Sequence, residues 1–276
     1  CEMCLGRVRR LVVRPGPAPA HGHRSQAPPP PAASEIGRTG DPQTAYRYAA
    51  DTAHGLKAMG FNLNFAPVAD LGATDGRSYA DDAATATKFV AAALEGHADA
   101  GLLATIKHFP GLGRGESDTH EDTVTVHADR ATLEANDLVP FREMIAKRNA
   151  AKNTKGASGW FVMATHTMYP ALDAKNPASL SPAILQGLLR EELSYDGVVV
   201  TDDLEMGAIS RHYGFDRAGV EAILAGADLV LVCHDYAHET AVYNGLLKAV
   251  KSGEISKDRL DASVRRIVKA KIEYLE

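Results

Sequence analysis

Residues 197–203 read Gly-Val-Val-Val-Thr-Asp-Asp, and this stretch decides the fold. An unbroken run of β-branched residues fits a strand buried on both faces, the pattern of a parallel sheet covered by helices. The run ends abruptly on two carboxyl groups, Asp202 and Asp203. The same arrangement recurs on either side of it. NLNFAPVA (62–69) is followed by Asp70, and LLATI (102–106) by Lys107 and His108. WFVMAT (160–165) is followed by His166, and ADLVLVC (227–233) by His234. Five apolar runs therefore each finish on an ionisable residue.

Helical patterns separate the runs. Asp41-Pro42 is an N-cap with proline at the first helical position, and Ala45, Ala49, Ala53 and Leu56 make a stripe that Gly60 ends. Further helices are expected near 81–100, from Asp129 with a break around Pro140, from Ser181-Pro182, and over 217–224, 238–251 and 256–274. Alternation of strand and helix means an α/β fold. A doubly wound sheet gathers only the loops at its switch point, whereas a barrel gathers every strand end at one face. Five charged strand ends favour a TIM-type (β/α) barrel, with about five of its eight strands present. Residues 1–34 differ from the rest. A basic Arg7-Val8-Arg9-Arg10 leads into a Pro- and Ala-rich segment ending in four prolines (28–31), read as irregular and without helix or central strand. Residues 35–276 read as one domain.

Composition narrows the function. The chain has 276 residues, 30 Lys+Arg against 35 Asp+Glu, and a formal net charge of -5, without the basic surplus of a nucleic-acid binder. No apolar run reaches the roughly 18–20 residues that span a bilayer. Three cysteines are too few for a disulfide scaffold. Cys1 and Cys4 lack a second pair, Cys233 reads as a small core residue, and Trp160 and Phe161, which begin a strand, read as core. Neither cofactor nor metal is expected.

KHFPGLGRGESDTH (107–120) resembles the signature of family 3 glycoside hydrolases, in the β-N-acetylglucosaminidase branch that carries an Asp-x-His loop. NFAPVADL (64–71), GRSY (76–79), ATHTMYPALD (164–173), VVVTDDLEMGAI (198–209) and DASVRRIVKAKI (261–272) match the same family in the same order. The resemblance implies a retaining hydrolase that removes terminal β-linked N-acetylglucosamine from glycans or muropeptides. It implies a bacterial enzyme of peptidoglycan turnover, placed in the cytoplasm, with a carbohydrate as its partner.

The resemblance assigns Asp202 as nucleophile, forming a glycosyl–aspartate that water then hydrolyses. Asp203 is its adjacent competitor. His120, oriented by Asp118, takes the place of the usual carboxylic acid/base, since an imidazole near its ordinary pKa holds both protonation states at working pH. Arg77, Lys107 and His108 are expected to hold the sugar through charged hydrogen bonds, with Asp70, His166 and Met206 as further binding candidates. Lys107 is also placed to keep Asp202 ionised.

The chain departs from the family pattern in two places. Leu112 stands where a histidine is usual, which implies altered loop packing. At the front, the three strands that open a family barrel, the third carrying Asp-x-Glu-Gly-Gly, find no match. Rival readings are a β-glucosidase or β-xylosidase of the same family, a metal-dependent barrel hydrolase using His108, His120, His166 and Asp202, and a non-catalytic sugar-binding remnant. The metal reading expects an H-x-H pair at an early strand end, which none of these runs supplies.

Overall fold

The computed structural model describes residues 13–14, 29–73, 75–113, 124–151 and 159–275. Its centre is a parallel sheet of β3 (Ala104–Phe109), β4 (Trp160–Ala164), β5 (Val199–Asp203) and β6 (Leu229–Leu231), in that order. Two shorter strands, β1 (Val13–Arg14) and β2 (Leu63–Asn64), pair with each other in parallel. The run beyond β2 extends the sheet. Thr105 N–H donates to the Ala66 carbonyl at 2.9 Å, and bridges join Leu63 to Leu103 and Val68 to Lys107. The chain is an open TIM-type α/β fold, and among the described residues β6 pairs with β5 alone.

Helices cover the sheet between strands: α1 (Ala33–Gly37), α2 (Pro42–Ala58), α3 (Ala83–Asp99), α4 (Arg130–Ala135) and α5 (Val139–Ala150), then α6 (Gly207–Ser210), α7 (Phe215–Ala225), α8 (Tyr236–Ser252) and α9 (Lys257–Leu275). A π-helix spans Ala183–Glu192. Asp41, Asp82, Asp129 and Asp235 each cap a helix N-terminus through a carboxylate. The expected break falls at 136–138, and Pro140 opens the next helix, where its missing N–H costs nothing. Helices α2 and α3 pack closely because small residues face each other. A Cβ at Gly96 would lie 2.4 Å from the Tyr46 carbonyl oxygen.

Strand alternation divides the interior into two layers. Ile106, Val162, Ala164 and Val199 pack outward with helix residues such as Phe141, Leu185 and Ala222. Leu103, Phe161, Met163, Val198 and Val200 pack on the opposite face with Ala270, Ile267 and Tyr274 of α9. Asp202 lies beyond them at the end of β5, where the β5–β6 ladder is irregular between Val200 and Asp203.

The structure corrects two expectations. Residues 1–34 are not wholly irregular, because β1 adds to β2 and α1 starts directly after the last proline. A strand edge carries unpaired N–H and C=O groups, and Val13-Arg14 pairs with those of Leu63-Asn64. Cys233 is exposed rather than core. Strand β6 is only half-buried and ends at Leu231, so the chain has left the sheet before it reaches the thiol.

Candidate active site

At the C-terminal end of β3 the chain turns through His108-Phe109-Pro110-Gly111. Gly111 adopts φ +129°, and a side chain there would meet Asp137. Gly113 presses so closely on the Leu71 carbonyl that no Cβ could be accommodated. These contacts dock the β3 turn onto the segment after Asp70. Leu112, the departure from the family pattern, is buried, and its backbone N–H donates to Asp70 Oδ1 at 2.8 Å.

Asp70 has no solvent-accessible side-chain surface. Its Oδ1 also accepts the His108 backbone N–H at 3.1 Å, and its Oδ2 lies 2.7 Å from His108 Nδ1. Burial pushes its carboxyl upward, but the His108 ring and the two backbone donors prevail and hold it below the usual range. The opposite ring nitrogen, His108 Nε2, lies 3.8 Å from Asp202 Oδ2.

Asp202 stands at the end of β5 with 19% of its side chain exposed. Burial acts to raise its pKa, yet the combined pull of His108, His166 and Lys107 lowers it. Lys107 is half-buried, and desolvation lowers its pKa, while Asp202 and Asp70 act to raise it and Arg77 acts to lower it further. The charges of Lys107, Arg77, Asp70 and Asp202 are thus close enough to act on one another. Arg77 also places its Nε 2.8 Å from Asp75.

His166 is fully buried, and both ring nitrogens are engaged. Nε2 donates to the Asp203 carbonyl at 2.9 Å, so Nδ1 accepts the Ser179 hydroxyl at 2.7 Å. Burial lowers its pKa, which favours this neutral tautomer. Met206 is buried in the turn after β5, and its N–H bonds back to the Asp203 carbonyl. Asp203 has different surroundings from its neighbour. Burial raises its carboxyl, with Glu205 and Asp202 adding like charge, and His234 Nε2 lies 3.0 Å from its Oδ2.

The strand ends therefore bring Asp70, Lys107, His108, His166 and Asp202 together, with Arg77 beside them. Not all of them can touch a ligand. Asp70 and His166 were expected to bind substrate, but their polar atoms are spent on other residues of the chain. Asp118 and His120 lie outside the described residues.

Sequence reasoning missed Glu205. Its carboxylate accepts the backbone N–H groups of Cys233, His234 and Asp235 and lies 2.7 Å from His238 Nδ1, fastening the loop after β6 to the end of β5. The only hint in the sequence was its place three residues beyond Asp202. Among the described residues, Asp203, Glu205 and His234 bring metal-competent atoms within 4.8 Å of one another. Glu205 is already committed to its hydrogen bonds, so the trio is accounted for by the loop it organises. His97 was also overlooked. It is buried, donating from Nδ1 to the Ala93 carbonyl and accepting from Asn64 at 3.0 Å.

The chain is similar to known proteins in sequence and fold. The profile of the glycosyl hydrolase family 3 N-terminal domain matches residues 21–270. Beta-hexosaminidase LpqI of Mycobacterium bovis (strain BCG / Pasteur 1173P2) is 36% identical over 281 residues, covering 97% of this chain and 65% of the relative. A beta-hexosaminidase of Stenotrophomonas maltophilia (strain K279a) is 41% identical over 212 residues, covering 74% of this chain and 60% of the relative. This chain thus spans less than two thirds of either relative's length. Among solved structures, a family 3 beta-N-acetylglucosaminidase from Paenibacillus sp. str. FPU-7 superposes with a TM-score of 0.83 at 41% identity, covering 90% of this chain and 47% of that one.

Proposed function

This chain belongs to glycosyl hydrolase family 3, and on that premise we propose that it carries the nucleophilic half of a retaining β-N-acetylhexosaminidase. The observation that carries the reading is the opposite treatment of two adjacent carboxyl groups. The Lys107 charge and the Asp203 backbone N–H favour the ionised form of Asp202, while burial and like charge raise Asp203. Neighbouring carboxyl groups driven apart in this way take different chemical roles.

A nucleophile must be anionic, reachable and fixed. Asp202 is anionic at neutral pH, is partly exposed at the face where barrel enzymes keep their sites, and sits on a strand rather than a loop. Attack on the anomeric carbon forms a glycosyl–aspartate ester and expels the aglycone oxygen, which takes a proton. Water then attacks the same carbon, giving net retention. His108 and Lys107 lie near Asp202 and Arg77 near Lys107, and these three are the candidates to hold the sugar hydroxyls. His120 with Asp118 is assigned the proton transfer on the strength of the sequence signature. The curated relatives are named beta-hexosaminidases, which supports N-acetylglucosamine over glucose as the sugar. Cell-wall fragments are the natural glycans in this reading.

The test is hydrolysis of nitrophenyl β-N-acetylglucosaminide beside the matching β-glucoside, with the product anomer followed by NMR. A 5-fluoro N-acetylglucosaminyl donor with a good leaving group should label the peptide that contains Asp202. Inverted product, or a label on another peptide, refutes the assignment. Preference for the glucoside moves the chain to another activity within the family.

A further inference from the structure

We propose that Asp70 is a positioning residue that fixes the tautomer and aim of His108 toward Asp202, rather than a residue that binds substrate. The inference rests on the functional reading above for its consequence, but its structural content stands apart from it. All of the geometry is local. Asp70 Oδ1 accepts two backbone N–H groups, from His108 at 3.1 Å and Leu112 at 2.8 Å, which leaves Oδ2 to face His108 Nδ1 at 2.7 Å. The carboxylate is sealed from solvent, so no sugar hydroxyl reaches it.

An ionised carboxylate only accepts hydrogen bonds. The proton between the two groups must therefore sit on Nδ1, whatever the charge on the ring. Nε2 is the remaining nitrogen, and it stands 3.8 Å from Asp202 Oδ2. A neutral ring turns a lone pair toward the nucleophile and leaves its carboxylate free to attack. The His108 ring is itself buried and tied to Asp70 at both its backbone and its side chain, so it has no second orientation of comparable quality. Buried carboxylate–imidazole pairs in hydrolases act in this way, by holding the ring in one tautomer.

Asp70→Asn tests the point sharply, because the surroundings dictate how the amide must lie. The two backbone donors need the carbonyl oxygen at the Oδ1 position. The NH₂ group is then forced to face His108 Nδ1, which must become an acceptor, and the ring proton moves to Nε2. That N–H would point at Asp202 and hydrogen-bond the nucleophile.

The first measurement is the side-chain nitrogen spectrum of ¹⁵N-histidine-labelled protein in alkaline buffer, with His108 identified by its loss in His108→Gln. Wild type should show a protonated Nδ1, and Asp70→Asn a protonated Nε2. Wild type with the proton on Nε2 overturns the proposal without any variant, so failure of Asp70→Asn to fold does not rescue it. The second measurement is a double-mutant cycle on kcat for the nitrophenyl N-acetylglucosaminide. Asp70→Asn alone should lose about 10²–10⁴-fold, by analogy with a wrong-tautomer histidine. In the His108→Gln background the same change should cost less than about threefold, because a residue that acts through another adds little once that partner is gone. Losses that multiply independently overturn the proposal. If wild type hydrolyses none of the substrates while its spectrum shows Nδ1–H, the glycosidase reading fails and the positioning role stands.

Discussion

Asp202 and Asp203 are consecutive in the chain, yet their carboxyl groups meet different imidazoles: Asp202 Oδ2 lies 3.8 Å from His108 Nε2, and Asp203 Oδ2 lies 3.0 Å from His234 Nε2. One carboxyl group faces the end of β3 and the other the loop after β6. Their carboxylates accept different backbone donors too, Asp202 the Asp203 N–H at 3.0 Å and Asp203 the Glu205 N–H at 3.1 Å. This division leads to the first expectation. Asp202→Ala should lower kcat by at least about 10⁴-fold, as loss of a nucleophile does. Asp203→Ala should retain measurable turnover. Steady-state kinetics on both variants decides the matter, and the reverse ranking would falsify the choice of nucleophile.

Replacing His166 with Phe should destabilise the fold before it does anything chemical. The ring bridges Ser179 and the Asp203 carbonyl inside the protein, and each buried polar group left without a partner costs about 1–3 kcal/mol. Urea unfolding should show a lower midpoint with an unchanged slope. A midpoint equal to wild type would mean that the bridge contributes nothing.

Stability should fall as the pH drops below the ordinary histidine range. His97 and His166 are buried, and burial lowers the pKa of each below the model-compound value of 6.5. Between the unfolded and folded pKa values the unfolded chain binds more protons, so acid favours unfolding there. Asp70, whose carboxyl is held low, adds a second loss at more acidic pH, on descent through its own depressed pKa. Thermal melts from neutral to mildly acid pH should show the first decline, and His97→Gln should flatten part of it. A flat profile in wild type contradicts the burial of both rings as neutral species.

A buried ionic hub ties the end of the sheet to the helices. Asp228 accepts from Arg190 at 2.7 Å, from the Val199 N–H at 3.0 Å, from Ser263 at 2.7 Å and from Arg266 at 3.0 Å. Arg190→Met leaves Asp228 paired with Arg266 but removes one of its donors and the donor to the Tyr195 carbonyl, for which about 1–3 kcal/mol is the expected loss. Calorimetry on the variant measures it. A change within error would show that the remaining partners of Asp228 suffice without Arg190.

The proton-transfer assignment for His120 predicts a dependence on the leaving group. His120→Ala should slow an alkyl N-acetylglucosaminide severely and a dinitrophenyl one far less, because an acidic leaving group needs little protonation. With the activated substrate, the ester on Asp202 should accumulate and appear in intact-mass spectra. Equal slowing of both substrates, with no adduct, removes His120 from the role.

Five apolar runs, each closed by a charged residue, were enough to determine the α/β class, the order of the strands and which residues stand at the strand ends. That follows because a strand buried on both faces needs an unbroken apolar run, and helix starts such as Asp41 and Asp129 declare themselves locally. The sequence also placed Asp202 in the site, through the resemblance of its surrounding motif. What each side chain does there was a tertiary decision. Asp70 and His108 are 38 residues apart and become one unit only when the Gly111 and Gly113 turn docks on Leu71. Glu205 became the fastening of the β6 loop, and Cys233 surfaced where a core residue was expected, because β6 is short and half-buried. Local patterns fix which backbone forms, since they depend on neighbours in sequence. The partner of a buried polar group depends on which distant segment arrives to satisfy it, and only the packed fold determines that.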